Sequence, residues 1–231
     1  MSKHHILVVE DDEDIQQLVS FNLIKAGFHV SCVSNGDDVV QLLETEKIDC
    51  VLLDIMLPGH NGIEICLQIR TGTAFSSLPI IMMTAKRDED EIIAGLESGA
   101  DDYITKPFSP KVLIARVNAI LRRTKDDTTT AQDAEETLLV NELKIFPGRH
   151  EVFVRDQEIK LTLTEFFILT MLARRPGWTF SRQQIIDAVR GHDYMVTTRV
   201  IDVQVFNLRK KLGAAGENIE TVRGIGYRLK G

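Results

Sequence analysis

The sequence predicts two domains in series, an α/β domain built on a parallel sheet and then a smaller α+β domain. Three observations carry that expectation. The 231-residue chain is long for one ordinary domain and comfortable for two, each able to bury its own core. Over residues 1–123 short β-rich apolar runs alternate with helical periodicity, whereas beyond residue 137 several short strands precede any helix. Charge divides at the same place. Residues 138–231 carry 15 Lys and Arg against 10 Asp and Glu, net +5, which leaves residues 1–137 with 12 against 24, net −12.

In residues 1–123 the strands are Ile6–Val9, Phe28–Val33, Cys50–Asp54, Ile80–Thr84 and Asp102–Thr105, with helices near 13–26, 37–47, 62–70, 88–98 and 110–123. In the last helix Val112, Ile114, Val117 and Leu121 recur at mixed spacing read as helical. Five β/α units in strict alternation imply a parallel sheet with helices on both faces. Residues 124–137 hold no large apolar residue and a net charge of −4, the composition of a flexible linker. The domain over 138–231 reads as strands Leu138–Val140, Leu143–Phe146, Glu151–Val154 and Glu158–Leu161, then helices beginning near Thr164, Ser181 and Thr198. It closes on a hairpin over Glu220–Leu229 with Gly224 and Gly226 in or near its turn. Four strands, three helices and a hairpin make a winged-helix plan.

Composition excludes several function classes. Cys32, Cys50 and Cys66 lie in or beside apolar runs without CxxC or zinc-ligand spacing, and read as reduced core thiols. The six histidines form no ligand pattern either. No stretch approaches the ~20 apolar residues of a membrane span, and the chain enters its first strand without a signal-peptide core. A cytoplasmic protein with no membrane partner is expected.

In parallel α/β sheets ligands sit outside the carboxyl ends of the strands, and polar residues gather there in this chain. Glu10 and Asp11 close the first strand, Asp54 the third and Thr84 the fourth, while Lys106 follows the fifth. Crowded carboxylates repel one another, so such a cluster needs a cation, and an oxygen-rich site without thiolate suits Mg²⁺. The Asp54 carboxylate is then placed to act as nucleophile and form an aspartyl phosphate. Lys106 and the Thr84 hydroxyl would hold the remaining phosphoryl oxygens. A phosphohydrolase of the haloacid-dehalogenase type also uses Mg²⁺, an Asp nucleophile and Lys. Those enzymes, however, put the nucleophile in a DxD motif after the first strand. A third reading, a constitutive DNA-binding protein with a vestigial acidic domain, is disfavoured by the complete Asp54, Thr84 and Lys106 set.

Ile-Leu-Val-Val-Glu10-Asp11-Asp12, Leu-Leu-Asp54-Ile-Met-Leu-Pro58-Gly, Met-Met-Thr84-Ala85 and Gly99-Ala-Asp-Asp-Tyr103-Ile-Thr-Lys106-Pro107-Phe108 resemble the receiver signatures of response regulators, at their expected spacing. The resemblance spans residues 5–123. It implies a flavodoxin-like fold of strand order 2-1-3-4-5, phosphoryl input from a histidine kinase, and Mg²⁺ at Asp11, Asp54 and the Met56 carbonyl with Glu10 in support. It also implies a cis peptide before Pro107 and a switch in which Tyr103 swings inward as Thr84 moves to the phosphoryl group.

Residues 138–231 resemble the OmpR/PhoB effector domain through Leu163-Thr-Glu-Phe166, Ser181-Arg-Gln-Gln184, Asp202-Val203, Leu208-Arg-Lys-Lys-Leu212 and Thr221-Val-Arg-Gly-Ile-Gly-Tyr-Arg228. On a helical wheel Ile201, Val205, Leu208 and Leu212 form a buried seam. The opposite face presents Arg199, Val203, Phe206, Asn207 and Lys210, a poor solvent face but suited to a major groove with phosphates at its margins. Gln204, Arg209, Thr221 and Arg223 complete the expected contacts with double-stranded DNA, Arg223 reaching an adjacent minor groove. Phe206, Asn207, Gln204 and Arg190 depart from the commonest residues of that family, so a relative's target sequence does not transfer. The family further implies RNA polymerase as partner and a homodimer when phosphorylated, bound to direct-repeat half-sites. Its dimer face uses the fourth helix, fifth strand and fifth helix, which in this chain contribute Ile92, Leu96, Asp101, Asp102, Val112, Arg116 and Arg123. Ile92 and Val112 stand where the family has a charge pair.

Overall fold

The computed structural model describes residues 4–72, 74–85, 89–125, 136–190 and 198–231, without the side chains of residues 89–91, 123–125 and 190. The chain divides into two compact units, Met1–Leu121 and Arg122–Gly231. Most of the expected linker, residues 126–135, lies outside the described residues.

In the first unit the elements are β1 (His5–Val9), α1 (Glu13–Lys25), β2 (His29–Val33), α2 (Asp37–Thr45), β3 (Cys50–Asp54), β4 (Met56–Leu57), β5 (His60–Asn61), α3 (Gly62–Thr71), β6 (Ile80–Thr84), α4 (Glu89–Glu97), β7 (Asp102–Thr105) and α5 (Pro110–Lys125). The main sheet has the order β2-β1-β3-β6-β7 with every pair parallel. With the two-residue strands β4 and β5 set aside, this is the expected order 2-1-3-4-5. Strands β3 and β6 are buried along their whole length, as is β1 from Ile6 onward, which is why the sequence writes them as unbroken apolar runs. The chain leaves β1 toward β2 on one side and returns to β3 on the other, so a crevice opens where the ends of β1 and β3 diverge. Helix α1 begins at that crevice because Asp12 caps it, its Oδ1 accepting from the Asp14 and Ile15 amides at 3.0 Å.

The second unit opens with an antiparallel sheet, β8 (Leu138–Val140), β9 (Leu143–Phe146), β10 (Glu151–Val154) and β11 (Gln157–Glu158), in the order β11-β10-β9-β8. Then follow α6 (Leu163–Ala173), β12 (Phe180–Ser181), α7 (Arg182–Arg190), α8 (Arg199–Leu212), β13 (Ile219–Val222) and β14 (Gly226–Leu229), with a second sheet β12-β14-β13. The fourth strand ends earlier than expected, at Glu158 rather than Leu161. Leu161 and Thr162 turn inward instead, and Thr162 forms a reciprocal capping box with Glu165 at the start of α6. Helix α6 is buried on nearly every side and forms the centre of this unit's core with Ile201, Val205, Leu208 and Leu212 of α8. The terminal hairpin turns at Gly224, whose φ of 74° suits glycine. Gly226 opens β14, where a Cβ would stand 2.0 Å from the Phe180 carbonyl oxygen, so glycine there lets β12 pair with the hairpin.

Candidate functional site

The crevice between the ends of β1 and β3 collects the expected acidic residues. Glu10 and Asp54 are almost fully buried and Asp11 is exposed at the mouth. One carboxylate oxygen from each lies within 4.8 Å of the others. Lys106 crosses from the end of β7: its Nζ donates to Asp54 Oδ2 at 2.7 Å and to Glu10 Oε1 at 2.8 Å. The Lys106–Pro107 peptide is cis, as the resemblance implies. The Lys106 amide is tied to the Thr84 carbonyl at 2.7 Å, which brings the end of β6 beside the lysine. Thr84 itself is fully buried.

Three carboxylates facing one ammonium leave the pocket with surplus negative charge. Burial, reinforced by Asp54 and opposed by Lys106, pushes Glu10 up to about 7. Burial also opposes the charge on Lys106, but its hydrogen bonds to Asp54 and Glu10 outweigh that and raise its pKa. Glu10 Oε2 is buried and close to Nζ, at 2.7 Å, without making a hydrogen bond of its own. An all-oxygen donor set with excess negative charge fits a hard divalent cation.

Gly62, which the sequence reading did not single out, is part of this architecture. The β4–β5 hairpin folds the chain back after Asp54, and Gly62 opens α3 directly against the end of β3. A Cβ at Gly62 would lie 2.1 Å from the Asp54 carbonyl oxygen. The signal in the sequence was Asn61-Gly62 before a helical run: Asn61 caps α3 by accepting from the Ile63 amide at 2.9 Å.

On the face formed by α4, β7 and α5 the structure corrects several expectations. Leu96 and Asp101 are buried, so neither offers a surface for a partner as it stands. Asp101 is held by Arg70, whose Nη2 reaches Oδ2 at 2.9 Å while its other nitrogens donate to the Gly99 and Leu78 carbonyls. Asp102 pairs with Arg116 of its own chain at 3.1 Å. Ile92 lines an apolar crevice beneath α4 with Ile55, Met82, Thr84 and Tyr103. Val112 remains exposed. The Arg123 side chain lies outside the described residues. Thr84 and Tyr103, the expected switch pair, share the crevice with Ile92.

In the second unit the exposed edge of α8 carries Arg199, Phe206 and Lys210, with Val203 and Asn207 half-buried between them. Phe206 is 60% exposed. Thr221 and Arg223 are exposed on the adjoining hairpin. Two expected DNA contacts sit elsewhere. Gln204 is buried, because α8 is covered over more of its circumference than a single apolar seam suggests. Arg209 turns to β13, donating to the Ile219 carbonyl at 2.6 and 3.0 Å and to Thr221 Oγ1 at 2.9 Å. Its guanidinium pins helix to hairpin.

Comparison with known proteins agrees with this division of labour. Residues 6–118 match the family described as response regulator receiver domain, and residues 156–229 match the family described as transcriptional regulatory protein, C terminal. The alkaline phosphatase synthesis transcriptional regulatory protein PhoP of Bacillus subtilis is 39% identical, over 97% of this chain and 96% of its own. The phosphate regulon transcriptional regulatory protein PhoB of Rhizobium meliloti is 42% identical, over 97% of this chain and 98% of its own. Among solved structures, the response regulator DrrB, a Thermotoga maritima OmpR/PhoB homologue, matches along the whole of both chains with a TM-score of 0.52 and 32% identity.

Proposed function

Because the chain belongs to the OmpR/PhoB-type response regulators, and is thus a phosphorylation-dependent transcriptional regulator rather than a metabolic enzyme, we propose that Asp54 is its phosphoacceptor and the exposed edge of α8 its DNA-reading surface. The observation that carries the first assignment is the Lys106 ammonium bridging Asp54 and Glu10 inside the carboxylate trio. An Asp54 oxygen attacks the phosphorus of a phosphohistidine on the histidine kinase. The new P–O bond forms as the P–N bond breaks, and the bonding pair leaves with the imidazole nitrogen. Lys106 exchanges one carboxylate contact for a phosphoryl oxygen, and the Thr84 hydroxyl donates to another. Asp11, Asp54 and the Met56 carbonyl, with Glu10 in support, would hold Mg²⁺, which when bound neutralises charge on the transferring group. The same groups permit slow self-phosphorylation from small acyl phosphates and slow hydrolysis of the product.

Arg199 and Lys210 would bind phosphates, Arg223 a neighbouring minor groove, and Val203, Phe206 and Asn207 base edges and thymine methyls. The receiver is proposed to dimerise when phosphorylated, to set two winged helices on direct-repeat half-sites, and to engage RNA polymerase in the cytoplasm. No described helix is long and apolar enough to cross a membrane.

Phosphate-affinity gels after incubation with acetyl phosphate and Mg²⁺ test the phosphoacceptor. A shifted band is expected for the wild type and absent for Asp54→Ala and Asp11→Ala. A band that persists in Asp54→Ala rejects the assignment.

A further inference from the structure

The β4–β5 hairpin carries Met56 beside the acidic pocket. The Met56 amide donates to Asp54 Oδ1 at 3.3 Å, while Lys106 holds Oδ2 at 2.7 Å, so hairpin and lysine each take one oxygen of the same carboxylate. Opposite Leu57 in the two-residue ladder stands His60. Its Nε2 lies 2.9 Å from Oδ1 of Asp37, a residue in the first turn of α2. A carboxylate only accepts, so the ring presents Nε2–H to it. The backbone is close at the same place. A Cβ at Gly36, the residue before Asp37, would lie 3.0 Å from the His60 Cβ and 2.6 Å from Ile65 Cδ1 of α3.

A short two-stranded hairpin has little stability of its own. Gly62 seats its exit against the end of β3, and His60 adds a hold from a different part of the chain, the segment that follows β2. A backbone carbonyl cannot move toward an ion independently of the hairpin that bears it, and Mg²⁺ tolerates little departure from octahedral geometry. We propose that His60 is a positioning residue for the Mg²⁺ site: through Asp37 it clamps the β4–β5 hairpin to α2 and so sets the Met56 carbonyl. This rests on the reading of Asp11, Asp54 and Met56 as the metal ligands, and adds to it a residue that touches neither the ion nor the phosphoryl group.

The His60 and Asp37 side chains are 39% and 77% exposed, and a pair at the surface contributes little to overall stability. Its effect on the ion can still be told from that of a solvated charge, because field and position act with opposite sign. A carboxylate at position 60 adds negative charge near a cation site, so through the field alone His60→Glu would tighten Mg²⁺ binding. The same change sets two carboxylates against each other and opens the clamp, which weakens binding. Adding Asp37→Lys reverses both effects: the field then predicts a loss of affinity, and the clamp predicts recovery.

The test is calorimetric titration of the full-length protein with magnesium chloride, in parallel with acetyl phosphate labelling at graded Mg²⁺. His60→Glu is expected to weaken Mg²⁺ binding roughly fivefold, the scale of one surface pair lost, and His60→Glu with Asp37→Lys to return to within about twofold of the wild type. The Mg²⁺ concentration for half-maximal labelling should move with the calorimetric value, while the labelling rate at saturating Mg²⁺ stays at the wild-type level. Unchanged or tighter binding by His60→Glu, or a double variant that binds no better than the single one, overturns the proposal. Urea unfolding without Mg²⁺ checks folding. Should His60→Glu be unfolded, His60→Ala carries the test: binding about threefold weaker supports the clamp, and wild-type affinity refutes it. Asp11→Ala separates this idea from its premise. If it abolishes Mg²⁺ binding while the His60 variants bind like the wild type, only the clamp fails; if Asp11→Ala binds Mg²⁺ normally, the reading of the pocket fails and the clamp with it.

Discussion

At Gly62 two elements approach so closely that one methyl group decides whether both fit. The Asp54 carbonyl oxygen would stand 2.1 Å from a Cβ there, and neither partner is a side chain able to swing aside. Gly62→Ala should therefore push α3 away from the end of β3, at a cost of about 1–3 kcal/mol, typical of an overpacked core. Urea unfolding would measure that loss, and acetyl phosphate labelling of Asp54 should slow in parallel; wild-type behaviour in both would remove Gly62 from the site. Tyr227 offers a second test at this scale. Burial, together with the hydrogen bond to Asp202, pushes its phenol up to about 12. The protonated form is thus favoured in the folded state over an unfolded value near 10, so its contribution is intact below about pH 10 and lost as pH rises through 12. Between those limits the wild type should lose on the order of 2 kcal/mol of stability relative to Tyr227→Phe, read from urea unfolding of the second unit. Parallel pH profiles for the two proteins would contradict the buried hydrogen bond.

Among the elements, α1 is apolar on two sides. Val19 and Leu23 are buried, yet Leu18, Phe21 and Ile24 stand 49%, 65% and 59% exposed along the other flank. The helix starts immediately after Asp11 and Asp12, so this stripe lies on the element that leaves the mouth of the acidic pocket, where the proposed transfer from a phosphohistidine would take place. Phe21→Glu is expected to slow phosphotransfer from the cognate kinase at least tenfold, with labelling by acetyl phosphate unchanged; equal loss with both donors would point to a damaged fold. The sequence revealed most elements where burial forces a periodicity. Strands β3 and β6 were bounded correctly because strands buried among parallel neighbours must be continuous and apolar, whereas the edge strand β7 was legible from its alternating burial. The β4–β5 hairpin and β12 escaped notice, since two-residue strands carry no period and β12 exists only through its pairing with β14. The acidic pocket was legible for a related reason, as its members close successive strands of one sheet. Gln204 and Arg209 were misread because a wheel places residues on a single helix and omits what covers it. Helix α8 is covered by α6 and tied to β13, which leaves a narrower exposed edge than one apolar seam implies.

At the scale of the whole molecule, phosphorylation in an acidic first domain has to act on DNA binding in a mildly basic second one, and a change in oligomeric state is one means of doing so. The charge pairs expected to cross a dimer face are satisfied within one chain: Asp101 by Arg70, and Asp102 by Arg116. Both pairs are largely buried, so breaking either one to remake it between subunits would leave a desolvated charge without its partner, at a cost of about 3–5 kcal/mol. Val112, by contrast, stands 45% exposed one helical turn before Arg116. In a two-fold interface the same patch appears twice, so Val112 of one subunit would meet Ile92 of the other once α4 shifts to uncover it. That contact removes apolar area from water and is insensitive to screening. The protein should therefore sediment as a monomer until treated with beryllofluoride and then as a dimer, with little change between about 0.05 and 0.5 M salt. Val112→Lys should abolish that dimer by placing a cation beside Arg116 at the twofold face. Adding Ile92→Glu should restore it by supplying the opposite charge from across the interface, and the restored dimer should have become salt-sensitive. A beryllofluoride dimer that survives Val112→Lys, or a double variant that stays monomeric at low salt, would show that the subunits meet through another surface.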